Sequence, residues 1–185
     1  MPKIADIEAT PNPNAYRFTL KERITSGIPR SFSNGDGAKN DKLASQLFAI
    51  AGVVNVYYVD AWITVTQDGS RMWPELLKEL AAPIREAEAI QSIEEEFAES
   101  EAETEEIIGS EDERFEPVKV LLDERIRPAL MGDGGDLRIV SLIANTLTVR
   151  YFGACGSCPS SLSGTLNAIQ SLVASIDPEI TVVVI

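Results

Sequence analysis

The chain has 185 residues, of which 44% are hydrophobic and 24% charged, and its formal net charge is -13. That length fits one large or two small domains, and no apolar run approaches the ~20 residues that a membrane-spanning helix needs. Eleven of the 29 acidic residues lie within residues 91–113, which contain no basic residue, so the rest of the chain is close to neutral. Because neither flanking region has an excess of basic residues, the charge pattern argues against a nucleic-acid partner.

The N-terminal residues and the absence of histidine limit the cellular location and the kinds of catalytic or metal site that we expect. The first residues form neither a secretory signal nor an arginine-rich presequence, so we expect a cytoplasmic protein. In a reducing compartment, two closely spaced cysteines are more often metal ligands or a redox pair than a structural disulfide. The chain has no histidine, which excludes Cys-His nucleophilic catalysis, Cys2His2 zinc sites and carboxylate-histidine metal centres.

Residues 1–90 predict a first small domain in which helices pack on a sheet. Its predicted elements are strands at 4–10 and 15–20, a loop over 25–38, a helix over 39–51, strands at 53–59 and 62–67, and a helix from Pro74. The first two strands flank Pro11-Asn12-Pro13-Asn14, which is typical of a turn. The apolar residues expected to face inward on the last helix are Leu77, Leu80, Ala81 and Ile84.

Residues 91–113 predict an acidic linker, and residues 114–185 a second small domain. The linker has too few apolar residues to form a core, and its like charges repel. The elements predicted after it are a helix from Pro117 to about Pro128, a sharp turn over 131–136, strands at 137–143 and 146–152, a helix from Pro159 and a strand at 180–185. Together the two regions predict an α+β protein, with helices packed on a small mixed sheet in each domain.

The two cysteines of the chain, Cys155 and Cys158, are spaced as Cys-x-x-Cys between a predicted strand and a predicted helix N-terminus. Free amides and the positive end of the helix dipole favour the thiolate there, which is the form that binds metal or attacks a disulfide. Zinc and the irons of iron-sulfur clusters prefer four ligands, so one chain is two thiolates short. The missing pair could come from a second copy, a small thiol or a partner protein, and a two-fold dimer supplies it most economically.

The second region contains four motifs in order: Arg127-Pro128-Ala129-Leu130, Asp133-Gly134-Gly135-Asp136, residues 153–161 and Thr165-Leu166. Through these motifs it resembles the NifU-like C-terminal (Nfu) domain. The first region contains Thr10-Pro11-Asn12-Pro13-Asn14, Phe18, Gly52-Val53 and residues 62–66. Through these it is similar to the Nfu N-terminal domain.

This resemblance implies a non-enzymatic iron-sulfur cluster scaffold or carrier. It implies a labile [4Fe-4S] cluster, one per homodimer, with Cys155 and Cys158 of each chain as ligands, and leaves a [2Fe-2S] form open. The implied partners are apo iron-sulfur proteins that receive the cluster and upstream cluster-assembly proteins that supply it. No nucleic-acid or membrane partner is implied.

Two other functions fit a Cys-x-x-Cys pair. A thioredoxin-like dithiol oxidoreductase also places its thiols between a strand and a helix, although no downstream proline is placed here for a cis turn beside them. A zinc-bridged dimeric interaction module would use the same four thiolates. The spacing of the cysteines alone does not separate these three functions.

Overall fold

The structure is a computed structural model that describes residues 2–89, 112–157 and 159–185. The side chains of residues 156–163 lie outside this description, as does Cys158. Most of the predicted acidic linker, residues 91–111, also lies outside the described residues.

Contacts within the chain define two compact units, Met1–Glu103 and Thr104–Ile185. Each has one β-sheet, helices and its own buried apolar cluster, which confirms the predicted α+β class. Within the described ranges, no helix has the length and apolar character that crossing a bilayer would require.

The described part of the first unit contains a five-stranded sheet and two helices. Its elements in chain order are β1 (Ile4–Ala9), β2 (Ala15–Leu20), β3 (Arg30–Phe32), α1 (Lys42–Phe48), β4 (Val53–Val59), β5 (Trp62–Gln67) and α2 (Trp73–Glu86). The strands lie in the order β1-β2-β5-β4-β3, and the pairings between them are antiparallel. On α2 the buried residues are Leu76, Leu80 and Ile84, whereas the predicted Leu77 and Ala81 are only half-buried.

A buried carboxylate explains where the first unit departs from prediction. Asp41 caps α1, since its side chain accepts a hydrogen bond from the Ala44 amide at 2.8 Å, so the helix is shorter than the predicted 39–51. Asp41 also accepts hydrogen bonds from the Tyr58 hydroxyl on β4 and from Arg30 Nη1, the latter at 3.0 Å. These contacts hold β3 beside β4 within the segment that was predicted to be a loop. Burial, and secondarily the charge of Asp41, raises the pKa of Tyr58 well above its ordinary value, so its hydroxyl stays a donor.

The second unit contains a three-stranded mixed sheet. Its elements in chain order are α3 (Phe115–Arg125), α4 (Arg127–Gly132), β6 (Gly135–Ile143), β7 (Thr146–Gly153), a short 3-10 helix (Ala154–Ser157), α5 (Pro159–Val173) and β8 (Thr181–Val184). Strands β6 and β7 form an antiparallel hairpin, and β8 returns through α5 to pair with β7 in parallel. The hairpin turns through Ala144 (φ 45°) and Asn145 (φ 65°), the positive φ values of a type I′ turn.

The predicted helix from Pro117 is two helices in the structure. They meet at Ile126, which ends α3 and precedes α4. Pro128 lies in the first turn of α4, where a missing N–H breaks no helical hydrogen bond, so it starts a new helix after the first has ended. Because α4 extends to Gly132 and β6 begins at Gly135, the turn predicted over residues 131–136 is shorter than expected.

Candidate metal centre

Cys155 lies on the connection between the last residue of β7, Gly153, and the first residue of α5, Pro159. Cys155 is 1% exposed, and its side chain belongs to the core of the second unit. Cys158, the other predicted ligand, lies outside the described residues. The structure therefore gives a position for one of the two predicted ligands.

The sulfur of Cys155 lies against the main chain at the start of β6. A Cβ atom added to Gly135 would lie 2.5 Å from Cys155 Sγ and 2.7 Å from the carbonyl oxygen of Phe152. In the β6–β7 pairing Gly135 is opposite Gly153, so neither strand carries a side chain at this pair. Gly135 thus leaves the space that the sulfur fills.

The turn before β6 holds the Cys155 turn directly. The Ala154 amide donates a hydrogen bond of 3.1 Å to the carbonyl oxygen of Gly134. Gly134 (φ 80°) and Gly153 (φ 63°) both adopt the left-handed region that favours glycine. The Asp133-Gly134-Gly135-Asp136 motif therefore positions the cysteine turn as well as connecting α4 to β6.

An ion pair fixes the same end of β6 to α4. Arg127 Nε lies 2.7 Å from Asp136 Oδ1, which also accepts a hydrogen bond of 2.7 Å from the Leu137 amide. Arg127 Nη1 makes a second ion pair of 3.0 Å with Asp123 on α3. The side chain of Asp136 is 8% exposed, so the pair is largely shielded from water on that side.

Tyr151 brings a polar group into the core near Cys155. It pairs with Leu137, two residues along β7 from the Gly135–Gly153 pair, and is 7% exposed. Its hydroxyl oxygen is buried and has no hydrogen-bond partner among the residues that the structure describes. Burial, and secondarily the negative charge of an ionised Cys155, raises the pKa of Tyr151 to about 12, so the hydroxyl keeps its proton at neutral pH.

Sequence reasoning did not identify Gly135 or Tyr151 as parts of the site. Gly135 was assigned to a tight turn, and a tyrosine at an inward strand position is typical of an ordinary core residue. The one available signal was that Tyr151 lies on the strand that leads directly into the cysteine turn.

Two family models match the chain. The scaffold protein Nfu/NifU N-terminal model matches residues 4–90, and the NifU-like domain model matches residues 118–184. Among solved structures, a NifU-like protein from Saccharomyces cerevisiae is 23% identical with a TM-score of 0.39, covering 44% of this chain and 74% of that chain. At that TM-score the likeness supports no further conclusion.

Curated relatives align with nearly the whole chain. The mitochondrial NFU1 iron-sulfur cluster scaffold homologs of Homo sapiens and Drosophila persimilis are each 33% identical to it over 174 residues. Each alignment covers 92% of this chain, but 67% of the human protein and 61% of the fly protein. The chain therefore spans about 60% of the length of the fly relatives from Drosophila persimilis, Drosophila erecta and Drosophila sechellia.

The names of these relatives contradict the predicted cytoplasmic location, because they describe mitochondrial proteins. The prediction was wrong because it rested on the absence of a targeting segment, and such an absence does not show where a protein works.

The two family models lie in the same order as the two units of the structure, and the relatives' alignments run through both. The motifs that carried the resemblance lie within the matched ranges. The chain belongs to the Nfu/NifU-like family of iron-sulfur cluster scaffold proteins.

Proposed function

We propose that this protein is an iron-sulfur cluster scaffold or carrier. Two copies of the chain hold a labile [4Fe-4S] cluster between them, with Cys155 and Cys158 of each copy as ligands. The best support is that one chain has too few ligands for a cluster, because it contains two cysteines and no histidine. Iron-sulfur clusters of both common types take four thiolates, which is what two copies supply.

Transfer to a target takes place by ligand exchange. Thiolates of an apo-protein replace Cys155 and Cys158 one at a time, and the iron-sulfur core passes across intact. The chain makes and breaks metal-thiolate bonds only, and so acts as a carrier that turns over no substrate. Upstream assembly proteins supply the cluster by the same exchange in the opposite direction, and mitochondria are the proposed site of this work, following the relatives' names.

Because Cys155 is buried, the proposed function requires a change of conformation in the second unit. Because Cys155 is 1% exposed within its own subunit, its sulfur cannot meet a cluster shared with a second subunit, nor an incoming thiolate, in this conformation. The connection from β7 to α5 must therefore open when the cluster binds and when it leaves.

The first unit supplies no thiolate, because both cysteines lie in the second unit. Its proposed contribution is the choice of partners. This separation of roles predicts that substitutions in the first unit leave cluster uptake unchanged.

Anaerobic reconstitution with iron and sulfide tests the proposal. We expect a brown protein with about four irons and four sulfides per two chains, which elutes as a dimer. Cys155→Ser and Cys158→Ser should each abolish stable uptake, whereas Ser157→Ala, a neighbouring change without sulfur, should retain it. A full complement in either cysteine variant, or within a single chain, would contradict the assignment.

The same experiment distinguishes the two other functions. A zinc-bridged module would give a colourless dimer that contains zinc and takes up no sulfide. A dithiol oxidoreductase would reduce insulin as a metal-free monomer.

A further inference from the structure

The hydroxyl of Tyr151 is an unusual feature of the second unit. It is buried, and within the described part of the chain it has no hydrogen-bond partner. Buried hydroxyls almost always have a partner, because burying one without a partner carries a free-energy cost. A phenylalanine at this position would fill nearly the same space without that cost, so the hydroxyl calls for an explanation.

The strand pairing places this hydroxyl on the side of the sheet where the thiol lies. Gly135 pairs with Gly153, and Leu137 pairs with Tyr151, so Tyr151 is the diagonal neighbour of Gly135. Side chains two residues apart on a strand share a face, and a diagonal pair is within reach of an aromatic side chain. Since Cys155 Sγ lies where a Cβ of Gly135 would point, the tyrosine and the sulfur are on the same face, and both belong to one buried cluster.

The chemistry of sulfur makes Cys155 a better partner for this hydroxyl when its thiol is ionised. A neutral thiol is a weak acceptor, whereas a thiolate carries a negative charge and accepts charge-assisted hydrogen bonds. A thiolate that binds iron keeps part of that charge, and hydrogen bonds to the sulfurs of a cluster change its stability and reduction potential. A protonated phenol in an apolar surrounding is a suitable donor for such a sulfur.

We propose that Tyr151 is a positioning residue for the cluster: when the site is loaded, its hydroxyl donates a hydrogen bond to the thiolate sulfur of Cys155. This inference rests on the proposed function and adds to it a residue that favours the loaded state over the empty one. The hydroxyl has a cost in the empty protein and a partner in the loaded protein, so removing it should change the two states in opposite directions.

The test is Tyr151→Phe in the full-length chain, measured both empty and loaded. The empty variant should melt at the same temperature as the wild type or higher, which also shows that it folds. The loaded variant should lose its cluster to an iron chelator about tenfold faster, the factor expected for one charge-assisted hydrogen bond. Its cluster should also have a more negative reduction potential, because a hydrogen bond to sulfur stabilises the reduced, more negatively charged cluster.

Tyr58→Phe is the matched control. It removes the hydroxyl of a buried tyrosine in the first unit, where the hydroxyl has Asp41 as its partner. It should lower the stability of the empty protein and leave the rate of cluster loss unchanged.

The outcomes separate the inference from the function on which it rests. If both proteins load and the Tyr151→Phe cluster has wild-type lability and potential, the inference is wrong. Equal destabilisation of the empty and loaded forms would show a merely structural role and would also overturn it. If the wild type takes up no cluster, the proposed function itself fails, and this inference with it.

Discussion

Gly135 and Cys155 are 20 positions apart in the sequence, yet a single added carbon on Gly135 would lie 2.5 Å from the cysteine sulfur. The neighbouring Phe152 carbonyl oxygen, at 2.7 Å from the same point, belongs to the main chain of β7 and cannot rotate away. The hairpin and the cysteine turn are thus packed without spare space, and the sheet determines where the thiol lies.

Gly135→Ala should therefore disturb both stability and cluster uptake. Overpacking of this kind typically costs 1–3 kcal/mol, and we expect a loss of about 2 kcal/mol in the unfolding free energy of the second unit. Because relief of the clash must move Cys155, we also expect the iron content after reconstitution to fall. Chemical denaturation and iron analysis measure the two effects.

Gly132→Ala is the matched control, since a Cβ there meets nothing within 4 Å. Gly132 ends α4, where alanine is the better helix former, so this variant should be as stable as the wild type or slightly more stable. If Gly135→Ala behaves like Gly132→Ala, the close packing described for Cys155 is incorrect.

Burial of Cys155 also predicts slow thiol chemistry. In a Cys158→Ser variant, Cys155 should react with a maleimide at least 100-fold more slowly in the folded protein than in guanidinium at the same pH, because reaction requires the turn to open. Mass spectrometry of quenched samples gives the two rates. Equal rates in the folded and unfolded protein would show that the sulfur is already accessible, and the conformational requirement of cluster transfer would then be unnecessary.

The sequence predicted the strands of the two long hairpins well, because these strands depend on short local patterns. Both long hairpins, β4–β5 and β6–β7, lie close to their predicted residues because alternating apolar residues and the turn between them are close together in the chain. The three-residue strand β3 was missed because its pairing depends on the contacts of Arg30 and Tyr58 with Asp41, which no local pattern shows.

The same limit applies to the candidate site. The cysteine spacing was visible in ten residues, but the contacts of Gly135 and Tyr151 follow from the register between β6 and β7. A shift of that register by one residue would place Gly135 and Tyr151 on opposite faces of the sheet. Such partners become identifiable only when the pairing is known.

Asp41 should be the most sensitive polar residue of the first unit. Asp41→Ala removes the cap of α1 and leaves the buried Tyr58 hydroxyl without a partner, so we expect a loss of about 3 kcal/mol. The two tryptophans of the chain, Trp62 and Trp73, both lie in the first unit, so tryptophan fluorescence during denaturation reports on it. Iron uptake should be unchanged.

The control for Asp41 is Asp36→Ala. The side chain of Asp36 is 87% exposed and pairs with Lys39 at the surface, where an ion pair contributes little, so the change should stay within about 0.5 kcal/mol. Comparable losses in the two variants would refute the role assigned to the buried carboxylate.

The ion pairs of Arg114 predict how the stability of the second unit depends on pH. It precedes α3 and pairs with Asp112 at 2.6 Å and with Asp177, which follows α5, at 2.5 Å. Hydrogen bonds from Arg114 lower the pKa of Asp112 to about 2, and the Glu179 amide together with Arg114 lowers the pKa of Asp177. A carboxylate whose pKa is lower in the folded than in the unfolded state stabilises the fold above its unfolded pKa of about 4. That contribution is lost as the pH falls towards 2.

Asp177→Asn should therefore melt at a lower temperature than the wild type at pH 7, and the difference should shrink progressively between pH 4 and pH 2. Thermal denaturation followed by NMR signals of the second unit measures both curves without interference from the first. Glu124→Gln, which changes an exposed carboxylate on α3 with no ion pair among the described residues, should show no such convergence. Protonation of the wild-type Asp177 carboxylate must remove whatever stability its charge contributes. If the difference in melting temperature between Asp177→Asn and wild type stays constant from pH 7 to pH 2, the Arg114 ion pair does not stabilise the fold.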